Sequence, residues 1–213
     1  MNVERGGNNQ KKFILKPKGS NYSSFELRHA SSGIQTTAPL IAMMNYYAQA
    51  FDFKLAQKRS IIDLLFEKNL TTQYRPEMEL TDMPKYVHIH IEEPELSLDP
   101  TSQIQMLNEI IRLAFYSKVD SREIGLVLAT HSPYIINSLN LLMKAHDCKT
   151  DIDGAHVGYD DLSVYQILSG GVADLKVKNI HYVNTDRLSE DINNIYDKYQ
   201  ELKQLQNEES LGK

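Results

Sequence analysis

Between Tyr86 and Ala145 the sequence alternates two strand signals with two capped helix signals, and this alternation constrains the fold more than any other feature. YVHIHI (Tyr86 to Ile91) alternates and is rich in β-branched residues, which predicts a strand running into the charged turn Glu92-Glu93-Pro94-Glu95. Asp99-Pro100 then marks a helix start. The aspartate caps free backbone N–H groups, and the proline sits at the first helical position, where its missing donor costs nothing. That helix is expected to run to about Tyr116. IGLVLA (residues 124 to 129) reads as a uniformly apolar strand of the kind covered on both faces, and Ser132-Pro133 opens a second capped helix ending near Ala145. Strands joined through a helix are parallel neighbours, so an α/β architecture follows: a parallel-sheet core with helices on both faces.

Before this region, FILK (Phe13 to Lys16) and FELR (Phe25 to Arg28) are short strand candidates. From Thr36 to about Glu67, apolar residues recur at helical spacing and predict two helices. Leu70 to Lys85 carries two prolines and little periodicity, and reads as a connecting loop or insertion. After Thr150 the pattern changes to short extended runs broken by Gly154, Gly170 and Gly171, then to a final helix from about Arg187 to Gln206. Leu188, Ile192, Ile195, Tyr199 and Leu202 recur there at heptad-like spacing. Two domains are therefore expected, residues 1–150 and a small β-rich appendix at 151–213. The opening MNVERGGNNQKK is polar, as in a mobile terminus or an entry from something upstream.

With 41% hydrophobic residues in 213, the chain can fill a core of ordinary size. Its formal net charge of −5 excludes a global basic field that would steer it to nucleic acid or anionic lipid, though not a local patch. The single cysteine, Cys148, closes no intramolecular disulfide and builds no multi-thiolate zinc site, which suits a reducing compartment. No run approaches the ~20 apolar residues needed to cross a bilayer, and the first residues lack a signal-peptide core. A cytoplasmic protein without a membrane partner is expected.

In an open parallel sheet, ligands bind beyond the carboxyl ends of the strands. The first strand end delivers Glu92 and Glu93, and the second delivers Thr130-His131-Ser132. If the strands are neighbours, these groups face one crevice. Successive strand side chains alternate, so the two carboxylates should divide labour between a metal and a proton or water. Ser31-Ser32-Gly33 stands directly before a predicted helix, where small residues and free N–H groups favour an anion, although plain capping explains the same residues. His88-x-His90 lies on one strand face, but without a third ligand nearby a metal site is the lesser alternative to surface or core histidines. The Tyr46-Tyr47 pair reads as helix packing rather than base stacking.

These elements, in this order, resemble the C-terminal half of an ABC-type ATPase core, of the SMC-like branch that includes DNA-repair and phage-defence ATPases and OLD-like proteins. Ala30-Ser31-Ser32-Gly33-Ile34-Gln35 resembles the signature motif, and Val87 to Glu93 resembles Walker B. Glu95-Leu96-Ser97-Leu98-Asp99 resembles the D-loop, and Leu128 to Pro133 resembles the switch-histidine segment. The resemblance implies a P-loop NTPase fold with ATP and Mg²⁺ as cofactors. Glu92 would hold the metal, Glu93 would activate the attacking water and His131 would sense the γ-phosphate. Ser31, Ser32 and Gly33 would contact the nucleotide of an opposing subunit, and Asp99 would communicate across that interface.

Three departures qualify the resemblance: Ala30 stands for the leading leucine, Ile34 occupies the Gln/Glu position, and no GxxxxGK[ST] phosphate loop occurs anywhere in the chain. The chain alone would therefore be inactive. A Walker A-bearing polypeptide or a missing N-terminal lobe is expected to complete the site, within a homo- or heterodimer, and DNA or a nuclease is a possible further partner. Two other functions fit the same residues: a non-catalytic interaction module that keeps the fold, and a metal-dependent nuclease or hydrolase using Glu92, Glu93 and Glu95.

Overall fold

The computed structural model describes residues 2–5, 11–16, 23–69 and 84–211. They mix helix and strand and divide between two compact units, Met1–Thr130 and His131–Lys213, so the helix after Ser132 groups with the second unit.

The first unit opens with three antiparallel strands, β1 (Asn2–Arg5), β2 (Lys11–Leu15) and β3 (Phe25–Glu26). Where the polar opening segment suggests a mobile terminus, Asn2 to Arg5 instead pair with Ile14 to Lys11. Ladder bonds come from the backbone and need no apolar pattern, which is why composition did not reveal this strand. The FELR strand is only two residues long, because Leu27–His29 turn into a short 3₁₀ segment.

Helix α1 (Ser32–Asn45) starts four residues before the expected Thr36 and widens into a π turn at Tyr46–Ala50, closed by Phe51 N–H to the Tyr46 carbonyl at 2.8 Å. Helix α2 (Phe53–Glu67) follows, and the Asp52 carboxylate caps it by accepting from Leu55 N–H at 2.9 Å. Of the loop expected at Leu70 to Lys85, residues 70–83 lie outside the described residues.

Strand β4 (Tyr86–Glu92) is followed by α3 (Pro100–Ile111), a second π turn (Arg112–Tyr116) and β5 (Glu123–Ala129). The strands are parallel, in a register running from Tyr86 opposite Glu123 to Glu92 opposite Ala129. Ile89, Ile91 and Ile124 are buried on one face. Tyr86, His88, His90 and Glu92 are exposed on the other, where Val127 of β5 is 44% accessible. The expectation that β5 is covered on both faces is thus not met: among the described residues the parallel sheet has two strands and one exposed face.

Arg122 ties this region to the helices. It is 3% exposed, donates to the Tyr47 carbonyl at 2.8 Å, pairs with Asp120 at 3.1 Å and lies over the Phe53 ring at 5.3 Å. The guanidinium thereby satisfies a carbonyl loosened by the first π turn, as a buried charge must. Its bond to Asp120, helped by Lys85, holds that carboxyl below its ordinary value.

In the second unit, α4 (Pro133–Asp147) is capped by Ser132, whose hydroxyl oxygen accepts from Tyr134 and Ile135 N–H at 3.2 and 3.3 Å. A hairpin of β6 (Tyr165–Leu168) and β7 (Gly171–Asp174) turns at Gly170, whose φ of +98° suits a residue without Cβ. A second small pair joins β8 (Lys176–Val177) to β9 (Tyr182–Val183), and α5 (Asp186–Leu211) ends the described chain. Of the short extended runs expected after Thr150, these two small antiparallel pairs are what forms, beside a longer helix. Along α5, Ile195, Tyr199 and Leu202 are each more than half exposed. Among the described residues no helix is long and apolar enough to cross a membrane.

Strand β9 is held by a side chain. The Asn140 amide oxygen accepts from Val183 N–H at 2.7 Å and its amide nitrogen donates to the Val183 carbonyl at 3.0 Å, as a neighbouring strand would. Val183 is fully buried. Asn140→Ala leaves both backbone groups unpaired and is expected to destabilise the second unit by about 2 kcal/mol in urea unfolding, while Asn137→Ala, at an exposed position, costs less.

Candidate functional site

The carboxyl end of β4 places the acidic residues. Glu92 continues the exposed face that carries His88 and His90, and it stands opposite Ala129. Glu93 departs from the strand alternation. Its φ of +46° is left-handed, its N–H donates to the Ala129 carbonyl at 2.8 Å, and its own carbonyl accepts from Leu96 N–H at 3.0 Å. The chain thus leaves β5's edge through Glu93 and enters a tight turn. Ser97 is left-handed as well, at φ +62°, and Leu98 N–H returns to the Glu95 carbonyl at 3.0 Å. Two non-glycine residues in this region bracket Pro94-Glu95-Leu96, a cost that surrounding bonds must offset.

Asp99 ends the turn as the expected cap of α3. One oxygen accepts from Thr101 and Ser102 N–H at 3.0 and 3.1 Å, and the other accepts from the Ser102 hydroxyl at 2.5 Å. The hydroxyl bond, followed by the backbone donors, holds the Asp99 carboxyl below its ordinary range. A site role for Asp99 therefore competes with its bonds to its own helix.

The three small residues before α1 behave differently from one another. Gly33 is buried: a Cβ there would meet the Ser97 carbonyl oxygen at 2.7 Å and a Leu98 methyl at 2.8 Å. The missing side chain lets α1 seat directly on the turn that follows Glu93, and the Thr36 hydroxyl, 3.4 Å from the Leu96 carbonyl, adds to the same contact. A glycine at a helix start is the sole sequence signal for this packing role, and the same signal suits the approach of a phosphate expected from the sequence. Ser31 and Ser32 are exposed. Ser31 holds the N-cap position with extended backbone, yet its hydroxyl makes no capping bond, and the first turn of α1 carries no acidic side chain. Capping, the alternative explanation of these serines, is thus not what Ser31 does. An end of this kind, with free N–H groups and no competing carboxylate, has the chemistry to receive an anion.

The first unit therefore brings together the α1 start, the turn at residues 93–98 and the Glu92 strand end. His131 belongs to the second unit, where it is exposed and directly precedes the Ser132 cap of α4. His88 and His90 lie 4.3 Å apart between ring centroids, but among the described residues no group of three or more His, Cys, Asp or Glu gathers to hold a metal ion.

No family model, curated protein or solved structure matches the chain.

Two outcomes test the geometry of this region. Gly33→Ala forces a Cβ against backbone and is expected to cost about 1–3 kcal/mol in thermal or urea unfolding, whereas Ser32→Ala at the neighbouring exposed position leaves stability near wild type. Because the Asp99 carboxyl is depressed in the folded state, its contribution is complete above the unfolded pKa of about 3.9 and is lost as pH falls through the lower folded value. Carboxyl-detected NMR titration should find Asp99 below an ordinary aspartate, and Ser102→Ala should move it up.

Proposed function

We propose that the chain is one part of an ABC-type ATPase of the SMC-like group, which completes a nucleotide site together with a lysine-bearing phosphate loop carried elsewhere. The observation that supports it most is the parallel register of β4 and β5, which puts Glu92 opposite Ala129 with Glu93 bonded to the same residue. A parallel pair with one exposed face also suits a further lobe packed over that face, since parallel sheets are ordinarily covered on both sides.

The donor set suits ATP with Mg²⁺. Glu92 and Glu93 are exposed carboxylates at one strand end, and Mg²⁺ characteristically takes one or two such groups together with substrate phosphates and water. When bound, the metal nucleotide supplies the γ-phosphoryl group and neutralises its charge. Glu92 is assigned to the metal's water shell. Glu93, freed from the strand's alternation by its left-handed backbone, orients a water and takes its proton. His131 donates to a phosphate oxygen. Ser31, Ser32 and the backbone at Gly33 offer N–H and hydroxyl donors to the nucleotide of a second copy or a related subunit, with Asp99 at the edge of the same contact. The client process, DNA repair or phage defence, follows from the resemblance alone.

A second reading, a non-catalytic interaction module, draws on the exposed apolar residues of α5 and of the β6–β7 hairpin, where Ile167 is 85% accessible. ATP hydrolysis separates the two. Mixed with a polypeptide that carries the phosphate loop, the protein is expected to hydrolyse ATP, and Glu93→Gln is expected to lower turnover by at least about a hundredfold while nucleotide binding persists. Partner capture that is indifferent to both Glu93→Gln and His131→Ala, without turnover, would establish the module instead.

A further inference from the structure

Away from the acidic strand end, the second unit contains a cavity of about 460 Å³, a size suited to a small molecule. One side chain in its wall is already committed. The Lys176 ammonium donates to the Tyr159 and Leu162 carbonyls at 2.6 and 2.5 Å and lies 4.0 Å from the centre of the Tyr159 ring. The same ring stacks on His181 at 4.7 Å and 12°, and His181 Nδ1 is 3.4 Å from an Asp147 oxygen. Tyr159, Lys176 and His181 thus form a fixed wall, in which the Lys176 ammonium and His181 are engaged within the protein while the buried Tyr159 hydroxyl has no hydrogen-bond partner among the described residues.

The remaining lining residues are uncommitted except for one oxygen of Asp174. Asp160, Ser163 and Lys178 are exposed and make no side-chain hydrogen bond or ion pair among the described residues. Asp174 uses one oxygen to accept Lys176 N–H at 2.9 Å, which leaves the second available. The cavity is therefore lined by opposite charges that do not pair with one another, an arrangement that leaves room for a guest between them. Asp160 and Asp174 line the same cavity, and after burial Asp174 and then Asp160 push the Tyr159 phenol up. A simple anion would meet both carboxylates, and a simple cation would leave Lys178 unanswered.

We propose that this cavity binds a small amino-acid-like zwitterion, its ammonium group held by Asp160 and Asp174 and its carboxylate by Lys178 and the Ser163 hydroxyl. The site is independent of the nucleotide reading, because it uses no residue of that site.

The test is an NMR titration of the full chain with 5-aminopentanoate, with pentylamine and pentanoate as probes of equal length bearing one charge each. The zwitterion is expected to shift the amides of Ser163 and Lys178 saturably, with each single-charge probe at least roughly tenfold weaker. Asp174→Asn keeps an oxygen for Lys176 N–H, and Lys178→Ala removes an exposed side chain, so both variants should fold; each is expected to weaken binding at least roughly tenfold, while Asp197→Asn on α5 leaves it unchanged. Absence of a saturable shift, equal binding of the single-charge probes, or binding that survives both variants overturns the proposal.

Discussion

The parallel ladder between β4 and β5 is the constraint on which the first unit depends. Parallel strands cannot be joined by a tight turn, so the chain must leave Glu92, travel through a helix and return to Glu123. That obligation accounts for the turn at residues 93–98, for the Asp99 cap that starts α3 and for the burial of Ile89 and Ile91 beside Ile124. It also concentrates polar chemistry at one end of the strands, where Glu92 leaves the ladder and the α1 start packs against the following turn.

Much of this was legible in the residues because it rests on local rules. Asp99 and Ser132 are side chains that cap by chemistry any sequence reader can recognise, each followed by the proline that marks the first helical turn, whereas the Asp52 cap of α2 has no such proline and emerges only from the structure. The β4 alternation and the apolar IGLVLA run were equally visible. Less visible were features decided by what a segment meets in space. Strand β1 has no apolar signature and forms because β2 offers it backbone partners. The exposure of Val127 depends on which elements cover the sheet, a property absent from the strand's own letters. Gly33 was noticed as a small residue, but its close fit to Ser97 and Leu98 joins positions more than sixty apart in the chain.

The two π turns illustrate how tertiary demand modifies a helix that propensity would simply end. Tyr46–Ala50 and Arg112–Tyr116 both close with wide backbone rings, and the first is bonded to the segment that follows the second through Val119 N–H to the Ala48 carbonyl at 3.1 Å and the Gln49 amide to the Ser117 carbonyl at 3.2 Å. Such wide turns release carbonyls from the usual ladder, and Arg122 takes up one of them. The buried guanidinium is therefore part of the helix ends as much as of the loop that carries it.

The amide of Asn140 stands in for a strand beside β9. Because a side chain rooted in α4 supplies both bonds, the Val183 backbone gains its shielding from the integrity of a helix. Hydrogen exchange at that amide consequently reports the opening of α4, and the helix and the strand behave as one cooperative element although they lie more than forty residues apart in the chain.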